Sequence, residues 1–248
     1  TVANNSGGTI EDPDVFGLRL DGSPVLDSEP YFPDAGAHVV SEDGLAGYAA
    51  GNWGTDCATD GSITLALAQD AICTITNTDI SPTITVVNTI INDNGGDVTD
   101  PNAFGLKVGA VSVLDGDDND FDAGVMHTVS QVDQPGYQAG TWGGDCAPDG
   151  TIILALGEDA ICTITNDDIS PTITVVKTIT NNSGGNVLDP NAFGLRVDGA
   201  SVLDSVTNTF DAGTYTVSED GLAGYQAGDW GTDCASNGSI TLALDQDA

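Results

Sequence analysis

Short runs of alternating apolar and polar residues, none much longer than a strand, pattern the whole chain. Between Thr172 and Thr180, Ile173, Val175, Lys177 and Ile179 fall on one face, and threonines with Val176 fall on the other. That is the period of a half-buried strand. A loop Asn181-Asn182-Ser183-Gly184-Gly185 follows, and Phe193 to Val197 reads as a second strand. The turn Asp198-Gly199 leads to Val202-Leu203, and Thr214 to Glu219 puts Tyr215, Val217 and Glu219 on a shared face. A Gly-rich segment with Tyr225 and Trp230 reaches Cys234; beyond the turn Asn237-Gly238, Ile240, Leu242 and Leu244 alternate strictly. The closing strand, where present, is Cys162 to Asn166. About seven short strands and no convincing helix point to a small antiparallel sandwich.

The pattern is tandem. ICTITNDDISPTITVVKTIT (Ile161 to Thr180) has a near copy at Ile72 to Ile91, 89 residues earlier. Pro13, Pro101 and Pro190 recur at spacings of 88 and 89, as do Trp53, Trp142 and Trp230, and Cys57, Cys146 and Cys234. Three copies of one unit follow, 1–79, 80–168 and 169–248, each about the size of one sandwich domain. The expected fold is all-β, an array of three seven-stranded immunoglobulin-like antiparallel β-sandwiches. Thr1 to Asn5 matches Thr178 to Asn182, and Gln246 to Ala248 matches Glu158 to Ala160. The equivalents of the 17 residues Ile161 to Lys177 are therefore expected outside the window at both ends. The first copy would lack most of its first strand and the third its last.

Charge narrows the partners. Four Lys plus Arg stand against 38 Asp plus Glu, a net charge of −34. Such a surface disfavours nucleic acid and anionic membrane, and no apolar run approaches a membrane span. An acidic coat of this kind keeps a secreted protein soluble. Cys57 and Cys73 have 15 residues between them, as do Cys146 and Cys162, a spacing unlike zinc or redox motifs. Disulfides within each copy are expected, hence an oxidising, extracellular or cell-surface setting. The partner of Cys234 would lie beyond Ala248.

The stretch GTYTVSEDGLAGY (Gly213 to Tyr225), a strand containing VVK before it and a closing CTITN strand together resemble the collagen-adhesin B-type or prealbumin-like (SpaA-like) repeats of bacterial surface adhesins and pili. The resemblance covers all three copies. It implies an intramolecular isopeptide bond between a lysine on the first strand and an asparagine on the last, assisted by an acidic residue in mid-domain. Strand parity gives an independent reason to consider that chemistry. Arg19, Lys107 and Arg196 share one outward-facing position, whereas Lys177 alternates with Ile173, Val175 and Ile179 and should point inward. A buried amine tends to lose its proton; beside a carboxamide it is a nucleophile, and Glu219 is placed to shuttle the proton. No copy holds all three parts. The third has Lys177 and Glu219, the first Glu42 and Asn77, and the second only the amides Asn88, Gln131 and Asn166. The bond is expected in the outer copies, through residues of the junction, and not in the middle one. The alternative for Lys177 is a buried amine held by Glu219 alone.

Other candidates carry less. Asp115, Asp117 and Asn119 have the opening spacing of a calcium loop, but Asp120 stands where the loop needs glycine and Met126 where it needs a bidentate Glu. Calcium is the one candidate cofactor, and an acidic surface turn the favoured reading. His38 and His127 replace Tyr215 in a strand and read as packed or edge residues. The three tryptophans offer a sugar-binding face or, as favoured here, packing on the disulfide. Asn4, Asn181 and Asn237 begin N-x-S sequons, candidates for glycosylation. No nucleophile elbow, metalloprotease, P-loop or dinucleotide motif is present, so no enzyme is expected. The expected role is structural, in a secreted stalk, surface fibre or filament, with neighbouring copies of the repeat, head to tail, as partners. Two alternatives are an adhesin binding glycans or surface proteins, and a subunit polymerising by donor-strand complementation.

Overall fold

The computed structural model describes residues 1–248, which form short strands and three single-turn 3-10 helices. No helix is long and apolar enough to cross a membrane. The three turns, Pro13–Phe16, Pro101–Phe104 and Pro190–Phe193, are built alike. Asp12, Asp100 and Asp189 accept the backbone N–H two residues on, proline opens the turn with its φ already set, and Gly17, Gly105 and Gly194 close it in the left-handed region. The expected strand from Phe193 is therefore shorter. Phe193 ends the turn, Gly194 reverses the chain, and the strand is Leu195–Val197. Each turn drops a buried phenylalanine edge-on to a tyrosine. The centroids lie 5.4 Å apart for Phe16 and Tyr48, 5.6 Å for Phe104 and Tyr137, and 5.3 Å for Phe193 and Tyr225.

Contacts divide the chain into two compact units. The first holds Thr1–Val87, Leu106–Ser130 and Trp142–Thr163. Its four-stranded sheets are ordered 23–24, 19–20, 36–41, 62–65 and 111–112, 107–108, 126–130, 151–153. The second unit holds Asn88–Gly105, Gln131–Thr141 and Ile164–Ala248. Its four-stranded sheet is ordered 200–201, 195–197, 213–219, 239–242. The long strands Thr83–Ile91 and Asp159–Asp168 are neighbours in one sheet.

Two pairings depart from the antiparallel expectation. Val2 pairs with Asn77 in parallel, and Thr172 bridges Asp247 in parallel. Parallel neighbours need a long crossover, and here the body of the copy supplies it. The core of the third copy gathers Ile173, Val175, Leu195, Val197, Val217, Ile240 and Leu242, the inward sets of four strands and their flanks.

Candidate functional site

A buried polar centre recurs in each copy, and in the middle one it joins side chains of the first, middle and closing parts of the sheet. In the third copy the expected strand from Thr172 to Thr180 is shorter, Thr172–Thr174, and Lys177 lies beyond its end, with Nζ 2.6 Å from Glu219 Oε2 and 4.7 Å from the centre of the Phe193 ring. The two side chains are only 16% and 9% exposed, so the charges depend on each other and on the ring face rather than on water. In the first copy, Asn77 Nδ2 donates to Glu42 Oε2 at 2.9 Å, while Glu42 Oε1 is buried without a hydrogen bond. The middle copy replaces charge by amides. Asn166 Nδ2 donates to Asn88 Oδ1 at 2.7 Å and to Gln131 Oε1 at 2.9 Å, and Gln131 Nε2 donates back to Asn166 Oδ1 at 2.7 Å. An ammonium beside a carboxylate can pass its proton and become a nucleophile. The all-amide centre holds neither nucleophile nor base.

Cys57 is bonded to Cys73 and Cys146 to Cys162, each pair with Cα atoms 5.1 Å apart. In the chain-entropy model, loops of this size stabilise by about 3 kcal/mol each. Cys234 is a free thiol; burial and neighbouring Asp233 push its pKa up. Trp53, Trp142 and Trp230 lie half-buried over the turn glycines Gly61, Gly150 and Gly238, and Trp230 packs on the core beside Cys234.

A second set of polar residues escaped sequence reasoning. Asp79 and Asp168 are buried at the ends of their copies, 5% and 3% exposed. Asp79 accepts the backbone N–H groups of Asn5, Ser6 and Gly8 at 2.7, 2.7 and 2.9 Å. Asp168 accepts those of Asp93, Asn94 and Gly96. Burial disfavours both carboxylates, but the backbone donors outweigh it and hold both below the usual range. The gathered loop then reaches the next copy. Ala123 N–H donates to Ser6 O at 2.8 Å and Ala212 N–H to Asn94 O at 2.7 Å. Ile80 N–H donates back to Gly47 O while its own carbonyl takes Gly157 N–H, both at 2.9 Å; Ile169 stands likewise between Gly136 and Asp245. The recurring Asp-Ile-Ser-Pro after each CTITN strand was the available signal, but its bonding partners lie more than 70 residues away.

The sequons differ in their surroundings. Asn4 Nδ2 donates to Ile10 O at 2.7 Å while Oδ1 accepts the Tyr48 hydroxyl at 2.7 Å; Asn181 does the same with Val187 O and the Tyr225 hydroxyl at 2.8 and 2.6 Å. Asn237 is exposed, its Oδ1 taking Ser239 N–H at 3.0 Å. Around Asp115, the strand Asp118–Asp120 pairs with Thr83–Thr85, and Asn119 turns its amide to the Asp117 carbonyl at 2.8 Å. The carboxylates that converge are instead Asp93, Asp167 and Asp168, their oxygens within 4.8 Å of one another. His38 sits between Asp21 and the Asp34 carbonyl, both at 2.7 Å, and the Asp21 hydrogen bond raises its pKa. His127 lies over Phe121, ring centres 5.1 Å apart. Arg19 and Arg196 make paired bonds to Asp43 and Asp220 on the surface.

No curated protein sequence matches the chain. Among solved structures, the Bacillus anthracis TIE protein is 14% identical with a TM-score of 0.47, over 86% of this chain and 40% of that one. A major pilin protein (T3.2) of Streptococcus pyogenes is 11% identical with a TM-score of 0.28, over 55% and 69%. This chain thus spans well under half the length of the first. The profile of the prealbumin-like fold domain matches residues 1–75, 79–164 and 168–248, nearly the whole chain. Three copies in tandem, each with its phenylalanine turn and polar centre, belong to that prealbumin-like domain family.

Proposed function

We propose that the chain is a structural, non-enzymatic segment of a secreted stalk, surface fibre or extracellular filament, its domains 1–79, 80–168 and 169–248 acting as load-bearing links. The observation that carries this is the pair of directly hydrogen-bonded junctions at Asp79 and Asp168, each sewing a loop of one copy to the next. Disulfides in the first two copies support it, since they shorten the length that a pulled domain can release. Single-molecule pulling tests it. Discrete unfolding peaks are expected, and reducing agent should lengthen two of them by the 16-residue separations of the disulfides. Featureless extension at low force would sink the reading.

In the outer copies the polar centres are suited to isopeptide formation. The Lys177 amine would attack a carboxamide carbon, ammonia would leave, and Glu219 would carry the proton. Protein from its natural source should then weigh one ammonia less per bond; an unaltered mass leaves Lys177 as an ion pair alone.

A further inference from the structure

At one strand position all three copies pin the incoming chain to the sheet, and each does so with different chemistry. His38, His127 and Tyr215 each reach back to the carbonyl of the aspartate that precedes the strand. Tyr215 donates its hydroxyl to Asp211 O at 2.9 Å, and His127 Nε2 lies 2.8 Å from Asp122 O. A phenol or a single imidazole N–H satisfies those contacts. The first copy asks for more. His38 Nε2 lies 2.7 Å from Asp34 O, while Nδ1 lies 2.7 Å from Asp21 Oδ2. A backbone carbonyl and an ionised carboxylate can only accept, so both ring nitrogens must carry hydrogen. Only the imidazolium form does.

The second acceptor meets a histidine in this copy alone. Asp21, Gly109 and Asp198 hold equivalent turns in the left-handed region, and Asp21 and Asp198 accept the Val39 and Thr216 N–H groups at 2.9 and 2.7 Å. The first copy joins that aspartate to His38, the second sets Gly109 beside His127, and the third sets Asp198 beside Tyr215. Aromatic support differs as well. Phe121 and Phe210 lie over His127 and Tyr215, ring centres 5.1 and 5.0 Å apart, where the first copy has Pro33. The His38 side chain is 11% exposed. The charged groups that face it are Asp21 on the turn, Asp34 on the incoming chain, and Asp56, which lines the same surface hollow as Ser62 and Ile63 of the paired strand. All three are acidic and favour the cation; the Asp21 hydrogen bond, and after it the Asp34 contact, raise the pKa of His38.

We propose that His38 is a pH-sensitive latch of the first copy: as imidazolium it ties the connection at Asp34 to the Asp21 turn, and on losing a proton to water it lets that connection go. The order of release follows from the partners. The bond to the Asp21 carboxylate is the stronger, so the remaining proton stays on Nδ1. Nε2 then turns a lone pair towards the Asp34 carbonyl at a distance where two acceptors repel, and the carbonyl moves off. Because the folded pKa is raised, the contribution of His38 is complete below the ordinary value of about 6.5 and is lost as pH rises through the folded one. Alkaline conditions therefore loosen the entry to the strand Gly36–Ser41, while the tethers of the second and third copies need no charge. The latch stands whether or not the chain bears load.

An NMR titration of the 248-residue chain between about pH 5 and 9 tests the proposal, following the ring signals of His38 and the backbone carbonyl signal of Asp34. His127, the other of the two histidines, is the reference for general charge effects. In the parent chain the Asp34 carbonyl signal should move with the His38 midpoint. Asp21→Asn keeps an oxygen for the Val39 N–H, suits the left-handed backbone, and offers an amide that donates to a neutral Nδ1. The His38 midpoint should then fall to lower pH, and the Asp34 signal should stop responding. His38→Tyr copies the tether of Tyr215 and should hold the Asp34 signal constant across the range. An Asp34 signal that ignores the His38 titration, an Asp21→Asn midpoint equal to that of the parent, or an unchanged Asp34 response in His38→Tyr would each overturn the latch. The first of these is read in the parent alone, so it decides even where a variant fails to fold.

Discussion

The polar centres of the second and third copies occupy equivalent positions and solve the same problem with different chemistry. Asn88, Gln131 and Asn166 are neutral and exchange hydrogen bonds among themselves, whereas Lys177 and Glu219 are held by one 2.6 Å ion pair under Phe193. The amide centre shares its hydrogen bonds among three side chains. In the Lys177–Glu219 pair each charge is an uncompensated cost without the other. Reactivity follows the same division, since only the ionic centre holds a group that becomes a nucleophile by losing a proton. The first copy stands between them, with Glu42 bonded to Asn77 through one oxygen and the other oxygen buried without a hydrogen bond.

The largest effect expected from this contrast is at Lys177. Lys177→Met should destabilise by about 3–5 kcal/mol, because it strands a buried carboxylate. The double variant Lys177→Met/Glu219→Leu should recover most of that loss. Chemical denaturation of both variants checks it; equal losses would mean that the two charges do not depend on each other. A smaller effect is expected in the middle copy. Asn166→Leu leaves Asn88 and Gln131 with one partner fewer, at about 1–3 kcal/mol, without the rescue pattern of a charge pair. A loss above that of Lys177→Met would reverse the comparison.

The smallest effect is a pH dependence located at the junctions rather than the centres. Asp79 and Asp168 titrate below their ordinary range in the folded chain. Their contribution is therefore complete above the unfolded value of about 3.9 and is lost as pH falls through the folded one. Stability should decline with acid below about pH 4, and Asp168→Asn should flatten that slope while leaving the profile above it unchanged in shape. An unaltered acid slope in the variant would remove Asp168 from the account.

Much of this was legible along the chain because it obeys short periods. Ile173, Val175 and Lys177 share a face by strand alternation, and the equal spacing of the cysteine pairs needs no tertiary knowledge. The Asp-Pro-x-x-Phe-Gly turns were also written locally, in a capping Asp, a φ-fixing Pro and a left-handed Gly, yet the alternation of Phe193, Leu195 and Val197 imitates a strand and hides the turn. Asn4 and Asn181 look like free sequons in sequence. Only folding shows that their amides already bind Ile10 and Val187 and receive the Tyr48 and Tyr225 hydroxyls.

The sequence by itself determined the three copies, the strand period, the acidic surface and the inward parity of Lys177, because each depends on neighbours a few residues apart or on exact recurrence. The tertiary structure alone decided what those inward groups meet. Asp79 finds its donors 71 to 74 residues away, and Asp168 finds its own 72 to 75 residues away. A carboxylate surrounded by backbone N–H groups has no signature in its own neighbourhood, since every residue except proline carries that donor. Which loop supplies it is fixed only when the first and last strands of a copy lie side by side.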